Sequence, residues 1–235
     1  MIQVNTVDIV EDLVALMGQT ITISGVVDNG DNTYDLTIND VYWLRPSNVI
    51  TFSGVDYMVL VLIDCNEIRV SGASAPIVGD TYSLAAPFYF HGTPIATNDL
   101  LTEIISDVDK YPAVYCLENL TESFIRDPAD SILDRESPVV LFFMDRTDFN
   151  DFRTDEHYTN AINPMRRSVQ VFEELTQNRN GIGEYNFTLT NHAKLGVQTT
   201  NKGATSKIFN DDLAAVEFSA TLPIHKDLVC ALECK

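Results

Sequence analysis

The sequence lacks several features that would assign it quickly to a class. No apolar run approaches the ~20 residues that a membrane-spanning helix needs. The N-terminal stretch "MIQVNTVDIVEDLV" has no basic region of the kind that opens a secretory signal peptide. We therefore expect neither a signal peptide nor a membrane span. Cysteines are few and scattered, which favours reduced thiols over a disulfide framework or a zinc site; they are Cys65, Cys116, Cys230 and Cys234.

Familiar catalytic and cofactor-binding motifs are also missing. The chain contains no Gly-x-Ser-x-Gly, no Gly-x-x-x-x-Gly-Lys and no His-Glu-x-x-His. The four histidines lie far apart in sequence, so none has a partner at metal-ligand spacing; they are His91, His157, His192 and His225. From these absences we expect a protein that is not an enzyme and that carries no cofactor.

Basic residues are scarce. The chain has 15 Lys and Arg against 34 Asp and Glu, a formal net charge of −19. Residues 1–92 carry 2 basic and 11 acidic groups, and residues 93–235 carry 13 and 23, so the acidity is not confined to a tail. Nucleic-acid-binding proteins bring Lys and Arg to the phosphates. This composition predicts the opposite, a surface that repels the DNA backbone.

The residues that are present indicate a β-rich module over 1–92. Residues 6–17 predict a short amphipathic helix, with Thr6 as cap and Gly18 as stop. Short β-branched and aromatic segments follow, separated by Gly, Pro, Asn and Asp. One pair reads as a hairpin with Asn29-Gly30 near its tip. Several short strands in succession predict a small β-barrel or sandwich.

Residues 93–235 predict a second module with the order α-β-β-α-β-β. Its first helix is expected over 99–109 and its second from Asn163, with Asn163 as cap and Pro164 at the first helical position. The strands are expected in "AVYCLE", "PVVLFFMD", "EYNFTLTNHAKLGV" and "LAAVEFSATLPI". The fold class predicted for the whole chain is therefore α+β.

The acidic segment "MDRTDFNDFRTDEHY", residues 144–158, is the first candidate site. Carboxylates at the end of a strand can bind a divalent metal, and a metal-dependent hydrolase is one alternative; it would use Asp145, Asp148, Asp151 and His157. The segment lacks the Asp-x-Asp-x-Asp-Gly order of a calcium loop. Arg146 and Arg153 can neutralise the acids locally, which favours a solvated or intersubunit loop.

Two further patterns are candidate binding surfaces. Arg166 and Arg167 fall in the first turn of their predicted helix, where the helix dipole disfavours cations. This position suggests an acidic partner, for example a second copy of this acidic chain. A carbohydrate- or receptor-binding module is another alternative, because exposed aromatic residues could form a stacking platform; the candidates are Tyr42, Trp43, Tyr57 and Tyr89.

The second module resembles structural proteins of tailed bacteriophages. The likeness runs over about 140 residues, through "ATNDLLTEIISDVDKYPAVYCLE", "SPVVLFFMDRTDF", "INPMRRSVQVFEEL" and "LAAVEFSATLPI". It is similar to tail-terminator and tail-completion proteins of the neck, including the ring proteins of crAss-like phages. The "YP-x-V-Y" stretch and the final "VEFSATLPI" strand carry most of it. The β-rich module is additional to the simplest members of that family.

The resemblance implies a virion structural protein, assembled in the host bacterial cytoplasm, that forms a six- or twelve-fold ring in the neck or tail. The ring would join head and portal to tail, contact other neck, tail or portal proteins, and let DNA pass without specific binding. Segments 119–137 and 197–211 would then be assembly arms. The intersubunit contacts implied are Asp145, Arg146, Asp148, Asp151, Arg153, Arg166 and Arg167.

We predict that replacing Arg146 and Arg153 together by Glu prevents assembly and leaves the monomer folded, because both would pair with acids across subunits. Analytical ultracentrifugation reports assembly, and circular dichroism reports folding. Normal assembly of this variant would remove the acidic segment from the interface.

Overall fold

A computed structural model of the chain describes residues 5–41, 44–104, 110–117, 121–126, 133–148, 154–199 and 205–225. The fold is mixed α+β and consists mostly of strands, as the sequence predicts. The chain divides into two units, one of Gly18–Ala86 and one of Met1–Met17 with Pro87–Lys235. Among the described helices, none is long and apolar enough to cross a membrane.

This division differs from the predicted modules 1–92 and 93–235. The first helix, α1 (Thr6–Ala15), and the strand β7 (Phe88–Gly92) belong to the larger unit. The physical reason is pairing at long range: β7 pairs in parallel with β8 (Ala113–Leu117), and α1 packs against both strands. The smaller unit is therefore an insertion between α1 and β7.

The smaller unit is a nearly closed, barrel-like sheet of six strands. The strands lie in the order β3-β4-β5-β2-β1-β6, and neighbours are antiparallel. The ring of Phe52 on β3 lies 6.2 Å from that of Tyr82 on β6, so side chains bridge the remaining gap. The strands are β1 (Gln19–Gly30), β2 (Thr33–Ile38), β3 (Val49–Phe52), β4 (Val55–Asp64), β5 (Glu67–Ser71) and β6 (Thr81–Leu84).

The predicted hairpin is confirmed, with its tip two residues further along the chain. Gly30 pairs with Thr33, which leaves Asp31 and Asn32 as the two turn residues. Both have positive φ, 54° and 58°. Asp and Asn tolerate this conformation better than most residues, so turn chemistry accounts for the polar run there.

The larger unit is built on a five-stranded sheet in the order β11-β14-β10-β8-β7. All pairs are antiparallel except β7 with β8. β9 pairs with the first four residues of β10, on the same side of β10 as β8. β12 and β13 form a separate antiparallel pair. The strands not yet bounded are β9 (Ser123–Arg126), β10 (Leu133–Arg146), β11 (Phe187–His192), β12 (Val197–Thr199), β13 (Thr205–Lys207) and β14 (Leu213–Ile224).

The helices cover this sheet on both faces. α1 and α4 (Asn163–Gln177) pack on one face, called here the helix face, where Phe172 meets Phe143 and Phe218 edge to face. Each such aromatic pair is worth roughly 0.5–1.5 kcal/mol beyond its buried area. On the opposite face, α2 (Pro94–Glu103) contributes Leu101 to a cluster that also holds Tyr115.

Helix boundaries depart from the sequence expectations in three places. Asn5, not Thr6, caps α1, because the Thr6 hydroxyl instead donates a hydrogen bond to the Glu122 carboxylate and lies 2.9 Å from the Ser137 hydroxyl on β10. α2 begins at Pro94 rather than Asp99; residues 105–109 of the predicted helix lie outside the described part of the chain. Asn163 has helical backbone angles and lies inside a continuous helix rather than at its N-cap position.

The reason for the third departure is a longer helix. α3 (Thr154–His157) leads into a π-helical segment (Tyr158–Ile162), which leads directly into α4. Pro164 has no backbone N–H to donate. The π-helical segment, whose turns are wider, leads directly into α4. The helix therefore continues through Asn163-Pro164, the pair that the sequence marks as a helix start.

We predict that residues 18–86 fold when expressed alone. Their two ends are adjacent: a Cβ placed on Gly18 would lie 3.3 Å from the backbone nitrogen of Ala86. The fragment contains a complete core of its own. Urea unfolding followed by circular dichroism should show one cooperative transition, and Leu36→Asp, at a fully buried position, should abolish it. A fragment without fixed structure would show that the insertion needs the rest of the chain.

Candidate interaction site

The start of the acidic segment belongs to the sheet. Asp145 is the penultimate residue of β10 and is fully buried; its Oδ1 accepts a hydrogen bond of 2.7 Å from the backbone N–H of Arg146. Arg146 is exposed and Asp148 is half-buried. Asp151 and Arg153 lie outside the described residues. Of the predicted contact residues in this segment, Arg146 is thus the one that the structure places on the surface.

The far end of the segment turns back into the fold. His157 is only 3% exposed, and its Nδ1 lies 2.9 Å from Oγ1 of Thr147, which is also buried. This contact joins the residue after β10 to the end of α3. Among the described residues, no group of three or more His, Cys, Asp and Glu is placed to hold a metal ion.

Arg146 lies near a polar network at the same end of the sheet. Asp211 accepts hydrogen bonds from Tyr111 (2.7 Å) and from Nζ of Lys110 (3.0 Å). Burial raises the pKa of Asp211, but those hydrogen bonds and the charges of Lys110 and Arg146 outweigh burial and hold its pKa below the usual value. Arg146 therefore interacts electrostatically with Asp211 of its own chain.

Of the four aromatic residues considered as a stacking platform, two lie in the described part of the chain, and they belong to different units. Tyr57 is buried in the barrel core, packed so closely on Gly72 that a Cβ there would lie 2.3 Å from its ring. Tyr89 belongs to the other unit, where its hydroxyl donates to the carbonyl oxygen of Val7 at 3.0 Å. Tyr42 and Trp43 lie outside the described residues.

The arginines of α4 line a groove. It lies between α4 and β11 and has a volume of about 290 Å³. Arg166 is exposed and Arg167 is half-buried. The groove is lined by Arg166, Arg167, Val169, Gln170, Glu173, Phe187 and Leu189. It thus combines an apolar wall with positive charge in an otherwise acidic chain, and we call it the α4–β11 groove.

Contacts within the larger unit fix the two walls of the groove. Nε of Arg166 donates a 3.0 Å hydrogen bond to Oδ1 of Asn191 on β11, which ties helix to strand. The ring of Phe187 stacks on Phe218 of β14 at 5.2 Å. Tyr185 packs against the same Phe218, and burial raises its pKa to about 12. The base of the groove is therefore packed on the sheet.

β11 is an edge strand. It pairs with β14 on one side, and no described strand pairs with its other side. Natural proteins usually protect such edges with charge, proline or a bulge. The sequence of β11, "FTLTNH", contains no Asp, Glu, Lys, Arg or Pro. Its first residue, Phe187, is 40% exposed. The sequence carries the signal, since apolar Phe187 and Leu189 alternate with Thr188 and Thr190, but the pattern alone does not reveal an open edge.

We predict that Thr147→Val lowers the free energy of unfolding by about 1 kcal/mol. The change removes the hydroxyl that bonds His157 and leaves a buried ring nitrogen without that partner. Urea denaturation measures it, with Thr190→Val, on the exposed face of β11, as the matched control. Equal stability of the two variants would mean that this contact does not hold the segment.

Comparison with known proteins assigns no family. No family model, no curated protein and no solved structure matches the chain. What the protein does must therefore be inferred from its own residues.

Proposed function

We propose that this protein is a non-enzymatic structural protein of a tailed-bacteriophage particle. It forms a ring in the neck or tail, around the channel through which DNA passes, and joins the head and portal to the tail. The observation that carries the proposal is the α4–β11 groove beside an edge strand. Such an edge gives a second copy main-chain hydrogen bonds, and the groove gives it a place for a side chain.

The order of elements in the larger unit supports the same proposal. α2, β8, β10, α4, β11 and β14 follow one another as α-β-β-α-β-β, the order on which the resemblance to tail-terminator and tail-completion proteins rests. β7, β9 and the β12–β13 hairpin are additions to that order. The inserted barrel is a further addition, so it could carry a contact of its own.

The charge of the chain fits a channel through which DNA moves. A net charge of −19 disfavours lasting contact with phosphates. It also makes copies of the chain repel one another, and this repulsion has to be overcome locally where subunits meet. The arginines of the α4–β11 groove place positive charge at the edge where a neighbour would bind.

We predict that the protein is present in density-purified phage particles at a fixed multiple of six copies. Quantitative mass spectrometry, scaled to the portal protein of the same particles, gives the copy number. Absence from particles, together with abundance in the lysate, would contradict the proposal. Thermal melts with Mg²⁺, Mn²⁺ and Ca²⁺ should then follow, because a metal at ~100 times its Kd adds ~2.7 kcal/mol to stability.

A further inference from the structure

We propose that strand β9 of one copy pairs with strand β11 of the next, and that Phe124 of β9 fills the α4–β11 groove. The inference deepens the proposed ring and rests on that function, since it names the two surfaces through which the subunits join. The occupant of the groove is a second copy of this chain. Four observations lead to it.

The first observation is a second open edge. β9 pairs with β10 on one side and with no described strand on the other. Its two central side chains are largely exposed, Phe124 at 44% and Ile125 at 56%. Glu122, immediately before β9, accepts hydrogen bonds from Thr6 on α1 and from Ser137 on β10. The strand is therefore held in place from within its own subunit while its apolar side chains face outward.

The second observation is the direction of the strands. β9 and β14 each run antiparallel to β10, and β11 runs antiparallel to β14. β11 consequently points the same way as β10, and β9 points the opposite way. The two edges lie on opposite sides of one sheet. Traced across the registers, β9 lies level with residues 133–136 of β10 and β11 with residues 139–144. A rotation about an axis inclined to the strands, as in a closed barrel whose strands tilt, makes up this offset and brings β9 of one copy beside β11 of the next as an antiparallel pair.

The third observation concerns the faces of the sheet. Phe124 pairs with Arg135, which lies on the same face of β10 as Phe143, the residue that packs on α4. Side chains alternate along a strand, so Phe124 lies on the helix face. Leu189 of β11 pairs with Phe218, which also meets α4, so the groove lies on the helix face too. In a continued sheet, Phe124 thus reaches the groove and Ile125 the other face.

The fourth observation is charge. The stretch 118–136, which includes β9, contains six acidic and two basic residues. The groove offers two arginines, Arg166 and Arg167, against one acid, Glu173, beside its apolar wall. Arginine also binds the face of an aromatic ring, so these side chains suit both Phe124 and the acids around it. Contacts of two different surfaces generate a ring when the rotation closes.

Two variants of exposed residues test the pairing. Phe124→Asp removes the apolar side chain from β9, with Phe124→Ser as a milder form. Arg166→Glu with Gln170→Glu changes the charge of the groove at two exposed positions. Ile77→Asp is the matched control, because Ile77 is an exposed aliphatic residue of the other unit. Thermal melts of every variant establish that it is folded.

Sedimentation at physiological ionic strength, where the repulsion between acidic copies is screened, then distinguishes the possible contacts. The wild type and Ile77→Asp should self-associate as concentration rises, whereas both Phe124 variants and the groove variant should each stay monomeric. A mixture of Phe124→Asp with the groove variant should form a one-to-one dimer and nothing larger. The first protein keeps an intact groove and the second an intact β9, so a single functional contact remains.

Three results would overturn the pairing. They are self-association of folded Phe124→Asp, no dimer in the mixture, and a wild type that stays monomeric up to millimolar concentration. The first result would direct attention to β7, the other strand on that side of the sheet. Failure of the proposed function looks different: the protein would be missing from particles, while the one-to-one dimer would still form in the purified mixture.

Discussion

The larger unit depends on one ladder, the pairing of β10 with β14. It runs without interruption over twelve residue pairs, from Arg135 with Ile224 to Arg146 with Leu213. β8 and β9 join β10 on its other side, at residues 141–144 and 133–136, and Pro138 lies in the gap between them. A proline cannot donate a ladder hydrogen bond. Because no residue of β8 or β9 pairs with Pro138, the central strand β10 tolerates a proline at this position.

The same ladder positions the helices and the groove. Phe143 of β10 and Phe218 of β14 both meet Phe172, so the register of the two strands sets where α4 lies. β11 then pairs with β14 and stacks Phe187 on Phe218. The groove between α4 and β11 is a consequence of that register. A slip by one residue would turn Phe218 to the opposite face and remove the base of the groove.

Opposing electrostatic effects govern any assembly of this chain. Its acidity keeps copies apart, and at physiological ionic strength that repulsion acts over only about 8 Å. Two subunits can therefore meet where a short stretch of surface has the opposite sign. Arg166 and Arg167 supply such a stretch beside an open sheet edge. The proposed ring would therefore be acidic overall, with positive charge confined to the contacts between copies.

Much of the local structure could be predicted from the sequence. The bounds of β14 follow from "LAAVEFSATLPI", the hairpin at 28–33 follows from its turn residues, and α1 follows from its apolar stripe. The α+β class follows from these elements together. Each of these features depends on residues within a few positions of one another, so the sequence by itself determined them, as it determined the net charge.

Contacts between distant residues decided the rest. The sequence assigned α1 and β7 to the first module, but pairing with β8 places β7 in the larger unit, and α1 packs upon it. It treated Asp145 and His157 as members of an exposed loop, yet both are buried. The open edges and the groove depend on which strands pair and which face α4 covers. Burial and sheet order are properties of the folded chain, and no local pattern contains them.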